Sequence, residues 1–228
     1  MNKIVILTGS GISAESGLKT FREVDGLWEG HNIMEVASPE GFENDPLLVL
    51  NFYNERRRQL LEVEPNSAHI ALAELEKKYQ VTIITQNVDD LHERAGSTNV
   101  IHLHGELLKA RSVIDPNLIY NIRGDIKLGD TCEKKSQLRP HIVWFGESVP
   151  MLEKAIKIAS LADCLIVIGT SMQVYPAASL VHYVKTDIPK FFIDPKPKIN
   201  NNTLKNLTII PQKATIGVTE LIEKYLDG

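Results

Sequence analysis

A glycine-rich turn directly behind an apolar run is the first feature that could carry chemistry. Residues 6–23, ILTGSGISAESGLKTFRE, contain the pattern G-x-G-x-x-A in Gly9, Ser10, Gly11, Ile12, Ser13 and Ala14. Glycines in such a turn let the backbone approach a pyrophosphate, and exposed amides can bind its charge. An ordinary glycine turn has a similar composition, so the pattern alone leaves both interpretations open.

The residues after this turn do not continue as a standard dinucleotide-binding unit. Such a unit has a long helix and then a second strand, which ends in an acidic residue about 20 positions further on. Here Gly17 interrupts the helix almost at once, and the next strand-like run begins near residue 81. The sequence therefore disfavours an ordinary hydride-transfer dehydrogenase.

Polar residues follow the apolar run 81–84, in the stretch TQNVDDLHERAG. Gln86, Asn87 and Asp89 lie where a strand would end, and ligands of parallel sheets bind outside such strand ends. Asn87 or Asp89 could equally cap a helix.

Two histidines, His102 and His104, stand two positions apart in VIHLHGEL and would share a face of a strand that Gly105 ends. Either could act as a general base, because histidine titrates near neutrality. A metal pair lacks a third ligand at a known spacing. A structural histidine is the alternative for each.

Two more strand-end turns are VWFGE, residues 143–147, and IGTS, residues 168–171. The second offers Gly169, Thr170 and Ser171 as a ribose or phosphate contact, although Ser171 could instead cap a helix.

Tyr53 and Arg56 lie three positions apart in FYNERRRQL and would share a helix face. A phenol beside a guanidinium could bind a carboxylate. Without other information, a solvated helix face is the better interpretation.

The elements that must position these residues alternate along the chain. Apolar, β-branched runs predict strands at 4–7, 81–85, 100–103, 141–145, 164–168 and 190–193, and their continuous character is typical of strands buried on both faces. Helices are predicted at 46–63, 67–79, 150–161, 175–185 and 215–226. This alternation predicts an α/β fold with a mainly parallel sheet. Residues 29–65 have no strand candidate, and 109–138 are polar and turn-rich.

Composition excludes several classes of protein. The 228 residues carry a net charge of −4, which disfavours a nucleic-acid partner. No apolar stretch is long enough to span a membrane or to act as a secretory signal, so we expect a cytoplasmic protein. The two cysteines, Cys132 and Cys164, exclude a disulfide framework. Nothing marks an oligomeric interface, so a monomer is the default.

Taken together and in order, the motifs TGSGIS…TFR, TQNVD, HLHGEL, RPHIVWFGE and GTS…VYPA resemble those of the sirtuins, NAD-dependent protein lysine deacylases. FYNERRRQL further resembles the class whose acyl pocket carries a Tyr and an Arg and which removes succinyl and other acidic acyl groups. Bacterial members of that class look most similar.

The resemblance implies a Rossmann-like large lobe (1–28, 66–108 and 139–228) and a smaller inserted lobe (29–65 and 109–138) within one catalytic domain. NAD and an acyl-lysine protein would meet in the cleft between them. It implies His104 as the catalytic base, with Asn87 and Asp89 in the nicotinamide pocket, while His102 stays structural. The NAD-binding positions would be Gly9, Ser10, Gly11, Ile12, Ser13, Phe21, Arg22, Gln86, Asn87, Asp89, Gly169, Thr170, Ser171, Asp194 and Ala214. The substrate-binding positions would be Tyr53 and Arg56 in the acyl pocket, and Val143, Phe145 and Gly146 in a strand that pairs with the peptide.

The implied reaction consumes NAD and moves no hydride, in agreement with the interrupted dinucleotide unit. His104 would deprotonate a ribose hydroxyl, and the products would be lysine, nicotinamide and O-acyl-ADP-ribose. Mono-ADP-ribosyl transfer and non-catalytic NAD or ADP-ribose sensing are the alternatives.

The chain departs from the family in its cysteines. Sirtuins usually bind a structural zinc with four cysteines in the small lobe, whereas residues 109–138 contain only Cys132, and Ser112 stands where a cysteine is expected. Since a structural zinc needs four nitrogen or sulfur ligands, we predict no metal.

Overall fold

A computed structural model describes residues 2–19, 27–28, 30–172, 174–199 and 204–226. Eleven strands are present in these ranges: β1 Lys3–Thr8, β2 Leu27–Trp28, β3 His31–Asn32, β4 Gln80–Thr85, β5 Val100–His102, β6 Gly105–Ser112, β7 Ile119–Asn121, β8 Leu138–Ile142, β9 Cys164–Ile168, β10 Lys190–Ile193 and β11 Leu207–Ile210. The α-helices there are α1 Ser10–Ala14, α2 Ile33–Val36, α3 Pro39–Asn44, α4 Pro46–Glu62, α5 Ser67–Glu74, α6 Leu91–Arg94, α7 Leu152–Ser160 and α8 Ala214–Leu221. Two 3₁₀ helices cover Leu75–Lys77 and Ala177–His182, and a π-helical turn covers Ile222–Leu226.

The main sheet has six parallel strands in the order β11-β10-β9-β1-β4-β5. This is the Rossmann-like α/β fold that the sequence predicts. The strand order reverses between β1 and β9, and open sheets of this kind bind ligands outside the carboxyl ends of the strands at that point.

Both faces of the main sheet are buried, which explains the continuous apolar runs. On one face, Ile4 and Ile6 of β1 pack with α5 and α8. On the other face, Val5 and Leu7 pack with α7 and the 3₁₀ helix Ala177–His182. A third apolar cluster joins α2, α3 and α4 to β6 and β8, with Phe52 and Trp144 among its members.

The helices that flank the site begin at sequence-encoded caps. The side chain of Asp45 accepts a hydrogen bond from the Leu48 amide, with Pro46 at the start of α4. Asn66 caps α5 by accepting from the amides of Ala68 and His69. These caps fix where α4 and α5 start.

Several predicted elements were wrong. Residues 141–145 do not form a strand of the main sheet: β8 ends at Ile142 and pairs antiparallel with β6 in a three-stranded sheet of order β7-β6-β8. Gly105, which was expected to end a strand, begins β6 instead with a φ of +84°. The segment 29–65, expected to lack strands, contributes β3, which pairs with β2.

Candidate active site

The glycine turn after β1 packs backbone against backbone on the turn after β9. The Gly9 amide donates to Ile168 O at 3.0 Å, and the Gly11 amide donates to Gly169 O at 2.8 Å. A Cβ added to Gly11 would lie 2.6 Å from Gly169 Cα, and one added to Gly9 would lie 2.7 Å from Thr170 Cβ. Glycine is therefore required here by close packing. Both amides already donate to the neighbouring turn, and phosphate binding by this glycine turn stays a prediction.

A chain of buried hydrogen bonds joins the glycine turn to the segment after β4. The Asn87 side-chain amide donates to Gly9 O and to Ser13 Oγ, each at 3.0 Å. The Ser13 hydroxyl in turn donates to Asp89 Oδ2 at 2.8 Å. All three side chains are at least nine-tenths buried. The arrangement brings together Ser13, Asn87 and Asp89 from two separate sequence motifs.

Burial raises the pKa of Asp89 above its usual range, although the bonds from Ser13 and from the Leu91 amide oppose the shift. The Leu91 amide donates to Asp89 Oδ1 at 3.2 Å, at the start of α6. Asp89 thus supports the turn into α6, whose N-cap residue is Asp90, and also contacts the glycine turn through Ser13. Its contact with a ligand stays a prediction.

Gln86 and Thr170 link the ends of β4 and β9. The Gln86 side-chain amide donates to Thr170 Oγ1 at 3.2 Å, and the same oxygen accepts from the Met172 amide. Ser171 is exposed and starts no helix, so the alternative of a helix cap is wrong for it.

His104 lies in the short connection between β5 and β6, with Nδ1 3.0 Å from Gln86 O. A carbonyl oxygen only accepts, so Nδ1 carries the proton and Nε2 keeps the lone pair that a general base needs. Burial lowers the pKa of His104, against a smaller opposite effect of the Gln86 bond. The ring is therefore neutral near pH 7.

His102 lies in a different environment. Its Nδ1 faces Asn87 O at 3.1 Å, and its Nε2 faces Glu93 Oε1 at 2.8 Å. Burial would lower the pKa of His102, but the bond to Glu93 and the charge of that carboxylate outweigh it and raise the pKa. Because both ring nitrogens face acceptors, His102 is suited to an ion pair and not to proton abstraction.

The resemblance places Asp194 near the adenosine ribose of NAD and Ala214 near the adenine, and both lie at the same edge of the sheet. Asp194 follows β10, is buried, and accepts from the Lys196 amide at 2.8 Å. Ala214 is the first residue of α8 and is buried. Phe21 and Arg22 lie outside the described residues.

Tyr53 and Arg56 are on the buried face of α4, so the solvated helix face expected from sequence alone was wrong. Tyr53 is 1% exposed, and its hydroxyl oxygen accepts from Trp144 Nε1 at 3.0 Å. Burial raises the pKa of Tyr53 strongly, which keeps the phenol protonated. The Arg56 guanidinium lies 3.6 Å from the centre of the Phe52 ring, and its side chain is 12% exposed.

Val143, Phe145 and Gly146 follow β8 and lie in no strand. The amide of Val143 donates to His104 O and that of Phe145 to Ala37 O, each at 2.9 Å. Phe145 is 39% exposed, and Gly146 has a φ of +88°. Two amides of this segment are therefore bonded within the chain, and its pairing with a peptide stays a prediction.

Sequence reasoning missed the group that holds this loop. Glu147 accepts from Arg111, from Arg139 and from the Trp144 amide, at 2.8–2.9 Å. The Arg139 guanidinium also stacks 3.3 Å from the Trp144 ring centre. Trp144, Arg139 and Glu147 stand within the motif RPHIVWFGE, but only the fold shows that Trp144 reaches Tyr53.

The region in which sirtuins usually bind zinc holds a thiol–hydroxyl pair in this chain. Cys132 Sγ lies 3.3 Å from Ser112 Oγ, and both residues are buried. Within the described ranges, no group of three or more His, Cys, Asp or Glu residues is placed to hold a metal ion. The absence of zinc stays a prediction. Cys164 is fully buried in β9, as expected.

Comparison with known proteins identifies the family. The model of the Sir2 family matches residues 9–176. The chain belongs to the Sir2, or sirtuin, family. A relative named NAD-dependent protein deacylase from Helicobacter pylori is 60% identical over 227 residues, covering 100% of this chain and 99% of the relative. A protein of the same name from Bacteroides thetaiotaomicron is 51% identical, covering 97% of each chain.

Solved sirtuin structures share the fold. A Sir2 homolog in complex with NAD matches with a TM-score of 0.88 and 42% identity, covering 97% of this chain and 88% of the other. A Sir2 protein with a p53 peptide and NAD+ matches with a TM-score of 0.79 and 32% identity, covering 97% of this chain and 92% of the other. No helix in the described part of this sirtuin is long and apolar enough to cross a membrane.

The two histidines should titrate on opposite sides of the ordinary histidine pKa of about 6.5. We expect NMR titration of the imidazole signals to give a pKa below that value for His104 and above it for His102. Glu93→Gln should lower the pKa of His102, because it removes the carboxylate on Nε2, and should leave His104 unchanged. Equal pKa values for the two rings would contradict the proton assignments.

Proposed function

We propose that this sirtuin is an NAD-dependent protein lysine deacylase that releases lysine, nicotinamide and O-acyl-ADP-ribose. The observation that carries the proposal is the state of His104, whose Nδ1 is tied to Gln86 O while Nε2 retains its lone pair. The same backbone segment, residues 86–89, supplies the buried Asn87 and Asp89. A base beside a buried amide–carboxylate cluster suits the family's reaction.

The side chains present fit NAD as co-substrate. Hydroxyl, carboxamide and carboxylate groups of Ser13, Asn87 and Asp89 meet at the switch point of the sheet, where they suit the polar atoms of a ribose and a nicotinamide amide. Further NAD contacts are proposed for the remaining cofactor-binding positions given above. When bound, NAD supplies the ribose carbon from which nicotinamide leaves.

In this proposal His104 Nε2 accepts a proton from a ribose hydroxyl. A neutral imidazole is needed for that step, and burial keeps His104 neutral by lowering its pKa. Gln86 O holds the ring orientation through Nδ1. Asn87 and Asp89 keep the glycine turn in place through Ser13.

We further propose that acidic acyl groups, such as succinyl, are preferred. The hydroxyl oxygen of Tyr53 accepts from Trp144, so the phenol proton remains available to a substrate carboxylate. Arg56, one helical turn further along α4, supplies the positive charge. Val143, Phe145 and Gly146 are proposed to contact the peptide, with Gly146 at an exposed turn.

The proposed partition into a large lobe and a small inserted lobe is supported by the separate apolar cluster around α4, β6 and β8. Within that part, the Asn54 side chain donates to Ile126 O and accepts from the Ile126 amide, each at 2.9 Å. Arg57, fully buried, donates to Leu107 O at 2.9 Å and to Asn54 Oδ1 at 2.7 Å. These bonds tie α4 to the segment expected to carry zinc in other sirtuins.

His104→Ala should abolish the chemical step and preserve binding. General-base catalysis contributes roughly 10²- to 10⁴-fold, so peptide-dependent nicotinamide release should fall by at least about 10². The dissociation constant of NAD should stay within a few fold. His182→Ala, at an exposed histidine on the 3₁₀ helix, is the matched control and should match the wild type. Full activity of His104→Ala would refute the assignment of the base.

Arg56→Met should affect the removal of succinyl and acetyl groups differently. Removal of the guanidinium should cost most of the desuccinylase activity and leave deacetylation largely intact, as measured by kcat/KM on matched succinyl- and acetyl-lysine peptides. Arg58→Met, on the same helix but paired with Asp125 at 2.7 Å, is the control. An equal loss of both activities in Arg56→Met would rule out the acyl-pocket assignment.

A further inference from the structure

Helix α1, which carries the glycine turn, is too short to be stable alone. It spans only Ser10–Ala14, whereas isolated helices shorter than about 12 residues are marginal in water. Side chains from distant parts of the chain hold it. Asn87 donates to Gly9 O, and Asn66 donates to Ile12 O at 2.8 Å. The position of the turn therefore depends on these long-range contacts.

A third contact joins α1 to the C-terminal helix across 200 residues of sequence. Glu15, directly after α1, accepts from the Thr215 amide at 3.2 Å through Oε1 and from the Thr215 hydroxyl at 2.6 Å through Oε2. Thr215 is the second residue of α8, and a carboxylate is favoured at that end of a helix. Both oxygens of Glu15 are thus used to hold α8.

Helix α8 is also fixed on its other side. A Cβ added to Gly217 would lie 2.4 Å from Ile193 Cγ2, so α8 packs directly on the last residue of β10. Asp194 follows that residue, and Ala214 opens the helix. The Glu15–Thr215 contact therefore holds the start of α8, with Ala214, at a fixed spacing from the glycine turn.

We propose that Glu15 is a positioning residue that fixes this spacing, and that the site thereby favours ligands reaching from the glycine turn to α8. Under the proposed function that ligand is NAD, whose adenine nucleotide extends through a diphosphate to a second ribose. The inference rests on the proposed function, since it assumes that an NAD-like ligand occupies this edge of the sheet. Glu15 touches Thr215 and acts through it, with no contact to the reacting atoms required.

The test compares two ligands in the full-length protein. ADP-ribose is long enough to reach from the start of α8 to the glycine turn. AMP is shorter and reaches only the part of the site that would bind adenosine. We expect Glu15→Gln to weaken ADP-ribose binding by about five- to tenfold, because one of the two acceptor oxygens that face Thr215 becomes an NH2 group, which cannot accept. AMP binding should change by less than about twofold. KM for NAD should rise by a similar factor while kcat and KM for the peptide stay unchanged. Isothermal titration and steady-state kinetics give these values.

Thr215→Val removes only the hydroxyl and should reproduce part of the effect. In the double variant, the loss of ADP-ribose binding free energy should be smaller than the sum of the two single losses, because both substitutions break the same contact. Glu43→Gln, at an exposed position of α3, is the matched control and should behave as the wild type.

Three outcomes would overturn the inference. Unchanged ADP-ribose binding in Glu15→Gln and Thr215→Val would exclude it while leaving the proposed function intact. Equal weakening of AMP and ADP-ribose would show general loosening of the site and would also exclude the spacing role. A wild-type protein that neither binds ADP-ribose nor deacylates peptides would refute the proposed function, and the inference with it.

Discussion

Two glycine turns that pack backbone against backbone determine where the other parts of the site lie. The amides of Gly9 and Gly11 donate to Ile168 O and Gly169 O at the C-terminal end of β9. Any side chain at Gly11 would collide with Gly169. This contact lies at the point where the strand order of the sheet reverses. Since parallel strands end on one edge, the polar residues after β4, β9 and β10 gather around it.

The close packing of the two turns buries polar groups, which need hydrogen-bond partners within the protein. The Asn87 side chain donates hydrogen bonds to Gly9 O and Ser13 Oγ, and the Ser13 hydroxyl donates to one oxygen of Asp89. A buried polar group without a partner costs about 1–3 kcal/mol, so substitutions within this chain should disturb the turn as well as any ligand contact. Function and local stability therefore depend on the same atoms. The His104 ring is joined to this region through the Gln86 carbonyl, which contacts Nδ1 and not Nε2.

The sequence predicted five of the six strands of the main sheet from local patterns and missed β11, Leu207–Ile210. The roles of the site residues stay predictions. Strands such as Cys164–Ile168 are short apolar runs buried on both faces, and the polar residues of the site stand directly after them. The antiparallel sheet was harder to predict. Strand β6 alternates between buried and half-buried residues, and its partner β8 begins at Leu138, 26 positions after β6 ends at Ser112. Pairing at that separation is decided by tertiary contacts. The contact between Trp144 and Tyr53, 91 residues apart, and that between Glu15 and Thr215 have no local signal at all.

Product analysis tests most directly whether this sirtuin consumes NAD to move an acyl group. Wild-type protein would be incubated with an acyl-lysine peptide and NAD labelled in its adenosine part, and the products followed by mass over time. We expect equal amounts of nicotinamide, deacylated peptide and labelled O-acyl-ADP-ribose. Label on protein, or nicotinamide release that does not depend on the acyl-lysine peptide, would contradict the proposed function.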